Sequence, residues 1–301
     1  MKRLYTAVII FLLISVASFY LYTIFLLQTP STLTKPFSKS NSVASYSFIL
    51  MGDTGTGAVS QYEVAKSIEN YCSERENCKA VFILGDVIYD EGVKSITDTQ
   101  FTTKFENPYK DISLPFYILF GNHDYLGCTS CYLEYDKESP KWEMSSGYYL
   151  QKFNSISFYA LDTENFDEEQ KKWLTTQIKN DTSTWKIVLG HKPIKTFEET
   201  KVKEDWKGRD ELKEIVCNSA DFYVSGHSHI LEDPGTINGC YVKQLISGTG
   251  GSYPREVQKP YQGNFFYEGN GFLVMTVQDN LMTINFFDKS GKSLHEVTSW
   301  K

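Results

Sequence analysis

Five apolar runs in this chain of 301 residues each end in a glycine followed at once by a residue that can bind a metal. YSFILMGD ends at Asp53, AVFILGD at Asp86, PFYILFGN at Asn122, WKIVLGH at His191 and DFYVSGH at His227, with His229 two residues further on. Short β-rich apolar runs of this kind predict buried strands, and a glycine after each permits the tight, close-approach turn that a side chain obstructs. The six residues are therefore expected to gather at one edge of one sheet. Two carboxylates, an amide and three imidazoles combine hard oxygen with borderline nitrogen donors, the mixture suited to iron, manganese or zinc.

A lone Gly-Asp or Gly-His at a strand end is ordinary turn punctuation. The set is what constrains the chain: of its five histidines, four (His123, His191, His227 and His229) lie in these motifs. Histidines serving only as loop or core residues would be scattered. The six donors exceed what one ion needs, and Tyr89 is a seventh candidate. Two ions sharing one bridging carboxylate would use them all, and such a pair serves in-line displacement at phosphorus by clamping the attacking and leaving oxygens.

Between the motifs, Val59 to Tyr71 has apolar positions at helical spacing, at Tyr62, Ala65, Ile68 and Tyr71. Asp167 followed by Gln170 resembles a capping box opening a helix over Glu168 to Lys179. Glu211 to Val216 is a shorter helical candidate. Tyr148 to Phe153 and Ile156 to Leu161 are predicted as one strand pair, and Phe272 to Val277 with Met282 to Phe287 as another. Strands alternating with helices first and hairpins later predict an α/β fold, with mixed β-sheets sandwiched between helices.

Leu4 to Leu27 carry no charge and come directly after Lys2 and Arg3. A run of that length is enough to span a bilayer as a helix, which takes about twenty residues. A cleaved signal peptide is the other reading, with Ser15-Val16-Ala17 as the cleavage site. The length of the run favours an uncleaved anchor, and either reading places the rest of the chain on the far side from the cytosol. The expected organisation is an anchor or signal over 1–27, a flexible Ser, Thr, Pro and Lys-rich linker over 28–45, and a catalytic domain over 46–301.

Six cysteines in an oxidising compartment favour disulfides. Sequence cannot choose among the fifteen connectivities. Pairing of near neighbours is the expectation: Cys72 with Cys78, Cys128 with Cys131, and Cys217 with Cys240. The net charge of −7 argues against a nucleic-acid surface, which needs concentrated Lys and Arg. It leaves open a small phosphorylated substrate or a phosphoprotein, because bound cations would dominate the local field.

In chain order, Asp53 in GDTG, Asp86 in GDVIYD, Asn122 with His123 in GNHD, His191 in GHKP, and His227 with His229 in GHSH resemble the five blocks of the calcineurin-like metallophosphoesterases. The tyrosine three residues after the second aspartate narrows the resemblance to purple acid phosphatases, most of all their small tartrate-resistant branch. Similarity continues through GYYLQ, FYALDTE, QKKWL and QLISGTGG and covers roughly Tyr46 to Phe287.

The resemblance implies an exported acid phosphatase that hydrolyses phosphate monoesters by attack of a metal-bound hydroxide. It implies Fe3+ held by Asp53, Asp86, Tyr89 and His229. A divalent ion (Fe2+, Zn2+ or Mn2+) would be held by Asp86, Asn122, His191 and His227, with Asp86 bridging. His123 is implied as the catalytic non-ligand that contacts phosphate and assists the leaving group. One departure stands out: small relatives often carry a second non-ligand histidine about nine residues after the GHKP block, where this chain has Thr200 beside Glu198 and Glu199. Asp124 reads as a turn or supporting residue, and Lys192 and His295 as surface residues. A phosphodiesterase or nucleotidase of the same superfamily is the alternative, and a non-catalytic metal-binding adhesion module a remote one.

Overall fold

The computed structural model describes residues 45–301 apart from Asn238. The expected anchor or signal segment and the linker lie outside the described residues, except Ser45, which opens the first strand. Among the described residues no helix is long and apolar enough to cross a membrane.

Strands β1 (Ser45–Met51), β2 (Cys78–Ile83), β3 (Phe116–Ile118) and β4 (Trp142–Glu143) come first, with helix α1 (Val59–Ser73) after β1 and α2 (Thr129–Tyr135) after β3. Next are β5 (Tyr149–Phe153), β6 (Ile156–Ala160), helix α3 (Glu168–Asn180), β7 (Trp185–Gly190), helix α4 (Arg209–Cys217) and β8 (Phe222–Ser225). The remainder is β9 (Leu231–Asp233), β10 (Lys243–Ser247), β11 (Phe265–Tyr267), β12 (Gly271–Gln278), β13 (Leu281–Asp288) and β14 (Ser293–Trp300).

These strands form two seven-stranded mixed sheets, ordered β14-β13-β12-β1-β2-β3-β4 and β11-β9-β10-β8-β7-β6-β5. Alternation along β1 explains the layering. Phe48 and Leu50 join Phe82, Phe158, Leu189 and Val224 in a core between the sheets. Ile49 and Met51 point the other way, onto Val64 and Ile68 of α1. On the far side, Val188 and Tyr223 pack on Leu174 and Ile178 of α3 and on Leu212 and Val216 of α4. The period-2 strand pattern thus covers both faces of each sheet, which is what a helix–sheet–sheet–helix sandwich requires.

The strands that carry the candidate ligands run parallel, β1 beside β2 and β2 beside β3 in one sheet, β7 beside β8 in the other. Their carboxyl ends therefore share an edge within each sheet. The expectation of one edge of one sheet is corrected here, since the ligands come from two. What joins the edges is backbone pairing: Gly52 N–H donates to Ser247 O at 2.6 Å and Gly250 N–H to Gly52 O at 2.9 Å. Those bonds stitch the end of β1 to the end of β10 across the sandwich.

Local predictions are refined in two places. Tyr62 of α1 is 42% exposed, while Gln61 is buried and donates to Lys104 O at 2.6 Å. Apolar spacing alone overstates a helix face when a polar side chain can satisfy itself inside. Asp167 caps α3 by accepting from Gln170 N at 2.9 Å. Gln170 does not complete the box, because its amide instead bonds both backbone groups of Asp162 at 2.9 Å. The three disulfides join the near neighbours, Cys72–Cys78, Cys128–Cys131 and Cys217–Cys240, with Cα separations of 5.7, 5.3 and 4.7 Å. All three lie in the ordinary range for a bridge.

Candidate metal centre

Three of the ligands, Asp86, Asn122 and His227, enter the site through a turn in which glycine leaves room for the ligand of another motif. A Cβ on Gly85 would lie 2.5 Å from His191 Nδ1, and one on Gly226 2.5 Å from Asp53 Oδ2. Asp53, Asp86 and His227 themselves hold left-handed backbone, with φ of 57°, 51° and 65°. That conformation costs a residue with a side chain about 1–3 kcal/mol, and such strain concentrates at functional sites.

The side chains form a connected cluster. Asp86 Oδ1 accepts from His123 N–H at 2.8 Å, and its Oδ2 lies 3.5 Å from His191 Nε2. Asp53 Oδ2 accepts from His227 N–H at 2.7 Å. Its Oδ1 accepts from the Tyr89 hydroxyl at 3.0 Å and lies 3.3 Å from His229 Nε2. Asn122 Oδ1 lies 3.2 Å from His191 Nε2. Asp53, Asp86 and His191 each offer a donor atom within 4.8 Å of the others, close enough for one cation. The structure brings the seven sequence-predicted ligands together, with His123 at the border of the cluster.

The three imidazoles present themselves alike. His191 Nδ1 bonds Leu84 O at 2.8 Å, His229 Nδ1 bonds Tyr253 O at 3.1 Å, and His227 Nε2 bonds the Glu204 carboxylate at 2.9 Å. Each of these partners can only accept, so the bonded nitrogen carries a hydrogen and the other nitrogen is the one whose lone pair a metal can take. The lone-pair nitrogens are those that converge: His227 Nδ1 lies 3.2 Å from His191 Nε2, and His229 Nε2 lies 3.1 Å from Tyr89 Oη. Partners of this kind orient metal-binding histidines and raise their basicity.

Charges within the cluster are strongly coupled. Burial pushes the Asp86 carboxyl up, yet the His191 imidazole and the His123 N–H hold it far below the carboxylate range. Burial likewise pushes His191 down, and the Asp86 carboxylate overrides it, lifting the imidazole to about 10. A cation bound here takes the place of that proton. Burial, with the carboxylates of Asp53 and Asp86, drives the Tyr89 phenol well above its ordinary value. Ionising it therefore demands a strong cation beside it.

Sequence reasoning missed Glu204, which no motif marks. Its carboxylate is drawn down to about 2 by the hydrogen bond from His227, against burial, and it also pairs with Lys201 at 2.9 Å. Asp124 is buried and accepts from the N–H groups of Val87, Ile88 and Gly121 at 3.1, 3.2 and 2.9 Å, clamping the turns that carry Asp86 and Asn122. Lys192 is paired with Glu164 at 2.8 Å rather than free at the surface. His295 is likewise not a plain surface residue: it stacks on Phe265 at 4.6 Å and lies 3.3 Å from Asp233. The cluster opens to solvent through a cleft of about 260 Å³ lined by Tyr89, His123, His229, Tyr253 and Arg255.

The model of the family described as Calcineurin-like phosphoesterase matches residues 46–231. Purple acid phosphatase 4 of Arabidopsis thaliana is 30% identical over 290 residues, which span 85% of this chain and 84% of the relative. Tartrate-resistant acid phosphatase type 5 of Homo sapiens is 27% identical over 300 residues, 82% of this chain and 88% of the relative. Among solved structures, the fold is similar to that of GAP50, the anchor in the inner membrane complex of Plasmodium, with a TM-score of 0.73 at 20% identity over 85% of this chain and 89% of that one. It is also similar to purple acid phosphatase PPD1 of yellow lupin, with a TM-score of 0.68 at 17% identity over 85% of this chain and 54% of that one.

Proposed function

The chain belongs to the calcineurin-like phosphoesterase family, and from that premise we propose that it is an exported purple acid phosphatase that cleaves phosphate monoesters at two metal ions. Its curated relatives are acid phosphatases, and the chain is a hydrolase of phosphoric ester bonds. The observation that carries the fuller reading is the convergence of three imidazole lone pairs on two buried carboxylates and a phenol, with each outer nitrogen already bonded.

Asp53, Asp86, Tyr89 and His229 would hold Fe3+. Asp86, Asn122, His191 and His227 would hold Fe2+, Zn2+ or Mn2+. Such a pair would supply Lewis acidity toward phosphoryl oxygens and would lower the pKa of a water enough to provide hydroxide near neutral pH. The rest of the work falls to the chain. Asp86 serves both subsites, and Asp124 holds its turn in register. Nδ1 of His123 is bonded to the carbonyl of Asp90 at 2.5 Å, so Nε2 is the nitrogen available to the departing oxygen, to which the doubly protonated ring would hand a proton. GAP50 has a similar fold, and fold by itself does not establish catalysis. An attachment module has no need of a polar cluster held under backbone strain, and this is what favours the enzyme.

Tyr89 separates a purple acid phosphatase from the wider family. The metal-loaded protein is expected to contain iron and to show the broad visible band of a phenolate–ferric pair, and Tyr89→Phe is expected to lose that band. Monoesters should be hydrolysed ahead of diesters and nucleotides in a substrate panel. A colourless, active, iron-free protein carrying manganese or zinc at both subsites would end the purple assignment. Preference for diesters would move the substrate proposal to that class.

Export is supported by three disulfides and by the basic residues before the uncharged N-terminal run. The full-length protein should fractionate with membranes and expose its catalytic domain to protease on the non-cytosolic side. Recovery in the cytosol with reduced thiols would overturn export, and a soluble form starting near Ser18 would overturn only the uncleaved anchor.

A further inference from the structure

Thr200, the residue that departs from the small-relative pattern, is not alone in the structure. The backbone of its segment is zipped to a loop more than fifty residues away: Glu198 bridges Val257, Glu199 N–H donates to Glu256 O at 2.9 Å, and Gln258 N–H donates to Phe197 O at 2.6 Å. That pairing delivers Arg255, whose Nη1 donates to Thr200 Oγ1 at 2.8 Å. Glu198 stands behind the pair. It is fully buried, and its Oε1 accepts from the N–H and hydroxyl of Thr200 at 2.9 and 2.5 Å. Its Oε2 has no hydrogen-bond partner among the described residues and faces Arg255 Nη1 at 4.0 Å.

The same loop is tied to a candidate ligand. Tyr253 O accepts from His229 Nδ1, and Arg255 N–H donates to His229 O at 2.9 Å. Arg255 is thus fixed at the rim of the cleft that contains His123, Tyr89 and His229. A guanidinium has five N–H donors. One of them has a hydrogen-bond partner among the described residues, and the residue lines the cleft. A solvated surface arginine would need neither a buried carboxylate behind it nor a hydroxyl tether.

Resting on the phosphatase reading, we propose that Arg255 is a substrate-binding residue whose guanidinium takes an oxygen of the phosphoryl group, and that Thr200 and Glu198 position it. A forked, permanently charged donor matches phosphate geometry better than an ammonium does.

Inorganic phosphate is the probe, because its binding requires no turnover. Calorimetry on the metal-loaded full chain should give a Kd for phosphate about 10- to 100-fold weaker in Arg255→Met, the range expected for a lost hydrogen bond to a charged group. The KM for a monoester should rise in parallel and kcat should fall less. Arg255→Lys should lose several-fold, and metal content should stay at the wild-type level in both. Because Arg255→Met leaves Glu198 buried beside no cation, a double variant with Glu198→Gln guards against misfolding and should bind phosphate as weakly as the single one. Phosphate Kd and KM within twofold of wild type in the folded, metal-loaded variants would overturn the proposal. So would a loss confined to substrates with a second phosphate. A wild type that binds phosphate through Arg255 but cleaves no monoester would leave this inference standing and remove the function it was built on.

Discussion

Replacing Asp86 by Asn is expected to abolish activity more completely than any other single ligand change, lowering turnover by at least about 10³-fold, since each metal contributes several kcal/mol of charge stabilisation. Both carboxylate oxygens are engaged, Oδ1 by the His123 N–H at 2.8 Å and Oδ2 facing His191 Nε2 at 3.5 Å. An amide matches the shape and loses the anion, so the two subsites would lose charge balance and their shared bridge together. The carboxylate occupies the space that glycine leaves: a Cβ on Gly121 would lie 2.3 Å from Asp86 Oδ1. Elemental analysis beside a monoester assay checks the prediction. Full metal occupancy with near-normal turnover would mean that the bridge is assigned to the wrong residue.

His123→Ala should behave differently, with both metals retained and turnover reduced by about 10² to 10⁴, the usual contribution of a positioned proton donor. The backbone N–H that serves Asp86 survives the substitution, so the metal cluster keeps its support. What disappears is the ring, which packs against Tyr89 with centroids 4.5 Å apart and lines the cleft. The deficit should shrink for esters with activated leaving groups, which depart without protonation. A collapse in metal content would identify His123 as a ligand, and an equal deficit for every leaving group would remove the proton-donor role.

Much of this centre was legible in the sequence because its signals are local. A buried strand, the glycine that ends it and the ligand next to that glycine occupy consecutive residues, and the period-2 pattern of β1 already separates Phe48 and Leu50 from Ile49 and Met51. Two of the disulfides, Cys72–Cys78 and Cys128–Cys131, are short-range in the same sense, with separations of 6 and 3 residues. The burial of Gln61 and the exposure of Tyr62 escaped that reading, since a buried amide is satisfied by Lys104 O from another segment, 43 residues on.

The sequence by itself determined which residue types could bind a metal, and that they come at strand ends. Only the tertiary structure decided that those ends belong to two sheets, joined where Gly52 and Gly250 exchange backbone bonds with the opposite edge. It also decided which nitrogen of each imidazole faces inward, because that depends on whether Leu84, Tyr253 or Glu204 receives the other. Glu204 and His227 are 23 residues apart, and Thr200 and Arg255 are 55 apart. No periodicity or motif links positions so separated. Their meeting results from burying apolar surface on both faces of two sheets, and the polar contacts at the strand ends are those that this packing allows.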